Sequence, residues 1–165
     1  MKTIANTLAD IAHAEIGVEE IDATNCGPRV NEYKAATKLP PNENWPWCAA
    51  FVCWCVQEAA KVAGVGFTPL FQRPTTAGAW ALENWSLKQD ASTQTKKHPG
   101  RDLQPGDIVI YNFSHVGIVR SAPDETGHFP AIEGNTNHAG SREGGAVWLK
   151  WRRTTAVRSR IRFRV

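Results

Sequence analysis

A chain of 165 residues, 42% hydrophobic and 21% charged, suits one soluble domain spanning 1–165 that buries roughly 70% of its unfolded surface, and nothing in its length asks for a second. The formal charge is a mild +3, and Asp10, Glu15, Glu19 and Glu20 interrupt the opening residues, so neither a signal peptide nor a membrane span is expected and synthesis in a cytoplasm is. Of four cysteines, Cys48, Cys53 and Cys55 crowd one segment and only Cys26 stands apart, which argues against a disulfide framework and predicts reduced thiols.

Apolar residues Ile4, Leu8, Ile11 and Ala12 recur at helical spacing, predicting a helix over 3–17 that stops near Gly17. A second helix is expected over 28–37, with Pro28 in its first turn and Val30, Tyr33 and Ala36 as its apolar side. Residues 40–44 read as loop. The third helix, 47–63, is apolar nearly all round as far as Val56, which implies burial on most sides, and Gly64-Val65-Gly66 ends it. A fourth is predicted over 75–87, with Ala79, Trp80, Leu82 and Trp85 packing inward. Residues 88–100 are polar, include Lys96 and Lys97, and read as an exposed loop. After the turn Pro105-Gly106-Asp107 the pattern becomes strand-like, with about five short strands expected to the C-terminus. Helices followed by an antiparallel sheet make an α+β domain.

Cys48, in Asn44-Trp45-Pro46-Trp47-Cys48-Ala49-Ala50-Phe51, falls on the first turn of the third helix. Unpaired N–H groups there carry partial positive charge, which favours thiolate over thiol. Such a sulfur is set up to attack a carbonyl carbon, given a base. His115 is the candidate base, at a tight reversal between two predicted strands. Glu133 and Asn135, two apart on another predicted strand, point to one face and both lie beside His115 if the strands pair. A thiol at a helix start, an imidazole and a polar third group form the constellation of thiol hydrolases. Asn42 or Asn44 would supply a side-chain amide to the oxyanion, beside the N–H of Cys48. Trp45 and Trp47 flank the thiol and are expected to line a groove where an aromatic face stacks on sugar.

Other reactive types have blander readings. Cys53 and Cys55 are small core residues, and the spacing of Cys48, Cys53 and Cys55 does not make a zinc site. His13 and His98 are expected in solvent, and His128 and His138 are harder to set aside. His138 follows Glu133 closely enough for a swap of roles with His115, but its Asn- and Gly-rich turn suits a solvent-facing ring. From Trp148 onward the charged residues are all basic, and Arg158, Arg160, Arg162 and Arg164 alternate along the last predicted strand. That pattern predicts a guanidinium row contacting an anionic envelope polymer, or equally an edge strand kept from aggregating by its charges. Nucleic acid is the weaker partner, because no aromatic-interleaved basic motif accompanies the charge.

The segments Glu15-Ile16-Gly17-Val18-Glu19-Glu20, Trp45-Pro46-Trp47-Cys48-Ala49-Ala50-Phe51-Val52, Pro105-Gly106-Asp107-Ile108-Val109, His115-Val116-Gly117 and Glu133-Gly134-Asn135, in that order, resemble the CHAP branch of the papain-like NlpC/P60 group of bacterial and phage cell-wall hydrolases. The resemblance implies a papain-like α+β fold, with N-terminal helices on a small antiparallel sheet of about five to six strands. It also implies that the chain cleaves an amide bond of bacterial peptidoglycan, with Cys48 as nucleophile, His115 as base and Glu133 orienting the imidazole, Asn135 assisting or replacing it. Both glycan–peptide amidases and stem-peptide endopeptidases occur in the family. No aspartate-rich loop precedes Cys48, so neither the calcium ion of some relatives nor another cofactor is expected. The chain looks like a compact, monomeric phage lysin that acts at the cell wall after release. An antibacterial effector with the same chemistry, or an idle wall-binding module, are the alternatives.

Overall fold

The structure is a computed structural model that describes residues 1–69, 71–89 and 91–165. Helices α1 (Ile4–Ala14), α2 (Pro28–Ala35), α3 (Cys48–Ala63) and α4 (Ala79–Ser86) precede strands β1 (Thr93–Lys97), β2 (Ile108–Tyr111), β3 (Val116–Val119), β4 (His128–Thr136), β5 (Ala146–Arg153) and β6 (Val157–Phe163). The strands form one sheet in the order β1-β6-β2-β3-β4-β5, every pairing antiparallel. The result is a mixed α+β fold with an open sheet, as the order of patterns predicts.

Local chemistry sets the helix boundaries. Thr3 and Asn6 exchange side-chain-to-backbone hydrogen bonds at the start of α1, a reciprocal box that satisfies two first-turn donors. Pro28 opens α2, where its missing N–H costs nothing. The predicted ends of α1 and α2 run a few residues long, because the last turns relax into caps at Glu15 and Ala36. Gly64, in the left-handed region at φ 68°, stops α3.

α3 is the central packing element. Ala49 to Cys53, Cys55 and Val56 are fully buried, walled by Ile4 and Leu8 of α1, Val30 and Tyr33 of α2, and Ile108, Ile118, Ile132 and Ile161 of the sheet. A second, smaller apolar cluster gathers Leu103, Val109, Tyr111, Val119, Phe129, Ala131 and Val157. Alternation along β2 explains the division: Ile108 and Ile110 join the first cluster, Val109 and Tyr111 the second.

Three expectations are corrected. Within 88–100, read from its polarity as loop, Thr93–Lys97 is an edge strand paired with β6. The pairing is long-range, and Lys96 and Lys97 are the charges that blunt this edge. Conversely β6 is not at the edge but between β1 and β2, so its arginines meet partners. Arg158 pairs with Glu83, Arg160 with Asp102, and Arg162 with Asp102 and Asp107. Arg160 is only 2% exposed, so no continuous guanidinium row faces outward, although Arg164 is exposed. Trp80, expected to pack inward with Ala79 and Leu82, is instead 46% exposed, with the Arg158 guanidinium 4.8 Å from its ring centroid.

Gly106 shows how tightly α1 meets the sheet. Its φ is +86°, and an added Cβ would lie 2.0 Å from the Ala5 carbonyl oxygen. Gly106→Ala therefore combines left-handed strain with a backbone collision and is expected to cost about 3 kcal/mol, a fall of ~6–12 °C in Tm. A melting curve matching that of the parent would show that the turn and α1 part freely.

Candidate active site

The thiol, the imidazole and the carboxylate come together at the start of α3. Trp47 is the N-cap residue and no side chain caps the helix, so its first N–H groups face the site without a side-chain acceptor. Cys48 is buried at 7% exposure and forms no disulfide. Gly134 brings β4 directly onto this turn: a Cβ there would stand 2.8 Å from Phe51 Cβ and 2.9 Å from Trp47 Cζ3. Absence of a side chain at 134 is what lets its neighbours Glu133 and Asn135 flank the helix start.

His115 follows the reversal between β2 and β3, in which Tyr111 N–H donates to the His115 carbonyl at 2.9 Å and Ser114 takes φ +54°. The ring is fully buried, with Nε2 2.9 Å from Glu133 Oε1. Gly117 makes room for that carboxylate, since a Cβ there would sit 2.8 Å from Glu133 Cγ. Nδ1 is buried and has no aligned hydrogen-bond partner. That leaves one ring nitrogen unpaired. Burial acts to lower the imidazole pKa, yet hydrogen bonding and charge from Cys48, then Glu133, outweigh it and raise the group to about 9.

Because the folded value exceeds the ordinary 6.5, protonated His115 stabilises the native state fully below about pH 6.5, and the contribution disappears as pH rises through about 9. The difference in unfolding free energy between the parent and His115→Gln is therefore expected to shrink between those limits in urea titrations. A difference that stays flat across the window would mean that the ring is neutral throughout.

Glu133 is itself fully buried. Oε2 accepts from Tyr111 Oη at 2.8 Å and from Arg152 Nε at 2.8 Å, and Oε1 accepts from Arg152 Nη2 at 2.5 Å. Desolvation pushes the carboxyl up, but Arg152 first and His115 second hold it below the usual range, so it stays ionised. Neither Arg152 nor Tyr111 was singled out by the motifs. Nothing in local spacing ties residue 152 to residue 133, and its place in a basic run pointed outward instead.

The remaining predicted residues separate by burial. Asn135 is 1% exposed and left-handed at φ +56°. Its Nδ2 donates to the Arg142 carbonyl at 3.2 Å, while Oδ1 has no partner. Asn44, exposed, accepts from Asn25 Nδ2 at 2.7 Å and lines, with Glu20, Pro46, Asn135 and Glu143, a cavity of about 380 Å³ beside the helix start. Asn42 lies outside that lining and accepts from Asn31 at 3.3 Å. Trp47 is wholly buried, its Nε1 donating to Glu20 at 3.0 Å, so it offers no face to a ligand: the expected aromatic groove beside the thiol is not formed by it. Trp45 is half-buried, with Lys34 Nζ 4.7 Å from its ring centroid. Lys34, fully buried, donates to the carbonyls of Asn25 and Glu43 and so ties the loop carrying Asn44 to α2.

The other thiols and imidazoles sit apart. Cys53 and Cys55 are fully buried, and burial pushes Cys53 up to about 12 and Cys55 well above its ordinary value, so neither is a nucleophile. His13 and His98 are exposed. His128 Nδ1 is 2.7 Å from Thr126 Oγ1. His138 lies at the surface, edge-on to Trp148 with centroids 5.6 Å apart, and the position beside Glu133 is held by His115. Among the described residues no three His, Cys, Asp or Glu side chains gather as a metal ion requires, and no helix is long and apolar enough to cross a membrane.

The fold is similar to that in the crystal structure of the wild-type endolysin LysIME-EF1, at a TM-score of 0.56 and 17% sequence identity, over 98% of this chain and 64% of that one. No curated protein matches the sequence. The CHAP domain family model matches residues 40–135, a stretch that runs from the loop before α3 through β2 and β3 to Asn135 on β4. With that match over more than half of its length, the chain belongs to the CHAP domain family.

Proposed function

We propose that the protein is a peptidoglycan hydrolase that cleaves an amide bond by a Cys48-His115-Glu133 thiol mechanism, as a lysin acting at the bacterial cell wall. The observation that carries this reading is the buried His115–Glu133 pair, Nε2 to Oε1 at 2.9 Å with Nδ1 unpaired, together with the electrostatic influence of Cys48 on that imidazole. The proton of Cys48 passes to Nδ1, and the thiolate attacks the substrate carbonyl carbon. The oxyanion is received by the uncapped N–H groups of α3, including that of Cys48, with the Asn44 amide as the second donor. The imidazolium then protonates the departing amine, leaving an acyl group on sulfur. Water deprotonated by the same ring releases the acid and restores the thiol.

Between the two bond types of the family, we favour one within the stem peptide. The cavity at the Asn44 loop, which Asn135 also lines, carries the carboxylates of Glu20 and Glu143 and the amides of Asn25, Asn44 and Asn135, which suit peptide N–H and amine groups, and the burial of Trp47 removes the ring that would have stacked on sugar. Purified sacculi digested with the protein and analysed by mass spectrometry test this. New amino termini within the stem are the expected product. A terminus only on the alanine attached to muramic acid would reassign the bond, and no solubilised fragments at all would remove the enzyme reading.

A further inference from the structure

Arg152 occupies a position in this site that no motif contains. It stands on β5, at the edge of the sheet, and reaches Glu133 side-on with two hydrogen bonds, Nε to Oε2 at 2.8 Å and Nη2 to Oε1 at 2.5 Å. Nη2 also donates to the Gly140 carbonyl at 3.0 Å. The guanidinium carbon lies 5.3 Å from the Tyr111 ring centroid and 5.2 Å from that of Phe113, rings stacked on one another at an interplanar angle of 6°. Side-chain exposure is 15% for Arg152 and 0% for Glu133.

With Arg152 in place each carboxylate oxygen has two partners: Oε1 meets His115 and Arg152, Oε2 meets Tyr111 and Arg152. A carboxylate saturated in this way cannot turn without breaking several bonds at once. Burial alone would favour its protonated form, and a neutral carboxyl would no longer balance an imidazolium. The charge that keeps it ionised has to be a guanidinium rather than an ammonium. A planar fork makes two parallel bonds and packs against aromatic rings, whereas an ammonium is a single, strongly hydrated point.

We propose that Arg152 is a positioning residue of the thiol–imidazole pair: by its bidentate hold on Glu133 it keeps that carboxylate ionised and aimed at Nε2, which turns Nδ1 towards Cys48. The inference rests on the roles given above to Cys48, His115 and Glu133, but the pair is titratable without any peptidoglycan. The test uses the whole chain as parent, Arg152→Met and Arg152→Lys. Each is alkylated with iodoacetamide across pH 4 to 10, the rate being followed at the Cys48 peptide by mass spectrometry, with melting curves as controls.

Loss of the guanidinium lets Glu133 take a proton at higher pH, so the pH at which the reactive pair forms rises with it. The acid limb for Arg152→Met is expected about one unit higher, with Cys48 alkylated ~10-fold more slowly at pH 6. Arg152→Lys should fall between it and the parent. If a folded Arg152→Met keeps the parent's limb and loses only rate, Arg152 is mere packing and the proposal fails. Should the methionine variant not fold, the lysine variant decides: a limb coincident with the parent's overturns the proposal, and an intermediate one supports it. A shifted limb in a protein that releases nothing from sacculi would uphold this inference while removing the proposed function.

Discussion

Cys48→Ala is expected to lower the rate of peptidoglycan solubilisation by about 10⁴-fold or more, while the fold survives. The sulfur is the only atom removed, from a site that is already 7% exposed, so the stability cost should stay near 1 kcal/mol. Members of a catalytic unit are not additive, because what remains after the first loss no longer uses the second. His115→Ala in the Cys48→Ala background should therefore slow the reaction no further. Turbidity loss of sacculi, measured for both single variants and the double, checks the pair. If Cys48→Ala clears the suspension as fast as the parent, the thiol mechanism is wrong.

Glu133→Ala is the second large effect, and it strikes stability as well as rate. Its carboxylate is fully buried and meets four hydrogen-bonding atoms on three residues. Removing it strands the Arg152 guanidinium and the Tyr111 hydroxyl and withdraws the anion facing His115. Breaking a buried pair by deleting one partner costs about 3–5 kcal/mol, which for a chain of this size is a fall in Tm of roughly 10 °C. Hydrolysis should drop by about a hundredfold or more because the imidazole loses its orienting contact. Glu133→Gln tells the two contributions apart, since it retains the shape without the charge. A Glu133→Ala protein that melts with the parent would mean that the buried network contributes nothing net.

Cys48, His115 and Glu133 were readable from local patterns because each carries its own signal: an apolar helix opening on a thiol, an imidazole at a strand reversal, a carboxylate in an extended run. The glycines beside them gain their meaning only from packing. Gly117 and Gly134 are places where a Cβ would meet Glu133 or the first turn of α3. Trp47 misled for a related reason. Proximity to the thiol in sequence suggested a groove, but the residue before a helix start is turned into the core here, where it stacks on Tyr33 with centroids 5.7 Å apart.

The C-terminal arginines show the other limit. Alternation along 157–163 correctly marks a strand, but whether its charges face solvent depends on which strands flank it. β1, polar and short, was the missing neighbour. With β1 in place, β6 is interior, and Arg160 and Arg162 find Asp102 and Asp107 some sixty residues earlier in the chain. Burial of a charge is acceptable only when such a partner is present, and no window of sequence contains both.

Periodicity, turn residues and the placement of a thiol at a helix start are properties of adjacent residues, and from them the amino-acid sequence alone determined the α+β order, the central role of α3 and the candidate trio of Cys48, His115 and Glu133. Only the tertiary structure decided that Arg152 and Tyr111 hold Glu133, that Lys34 ties the Asn44 loop to α2, and that β1 closes over β6. Each of these depends on hydrogen bonds or ion pairs between segments far apart in the chain, whose strength comes from burial that exists only once the chain has folded.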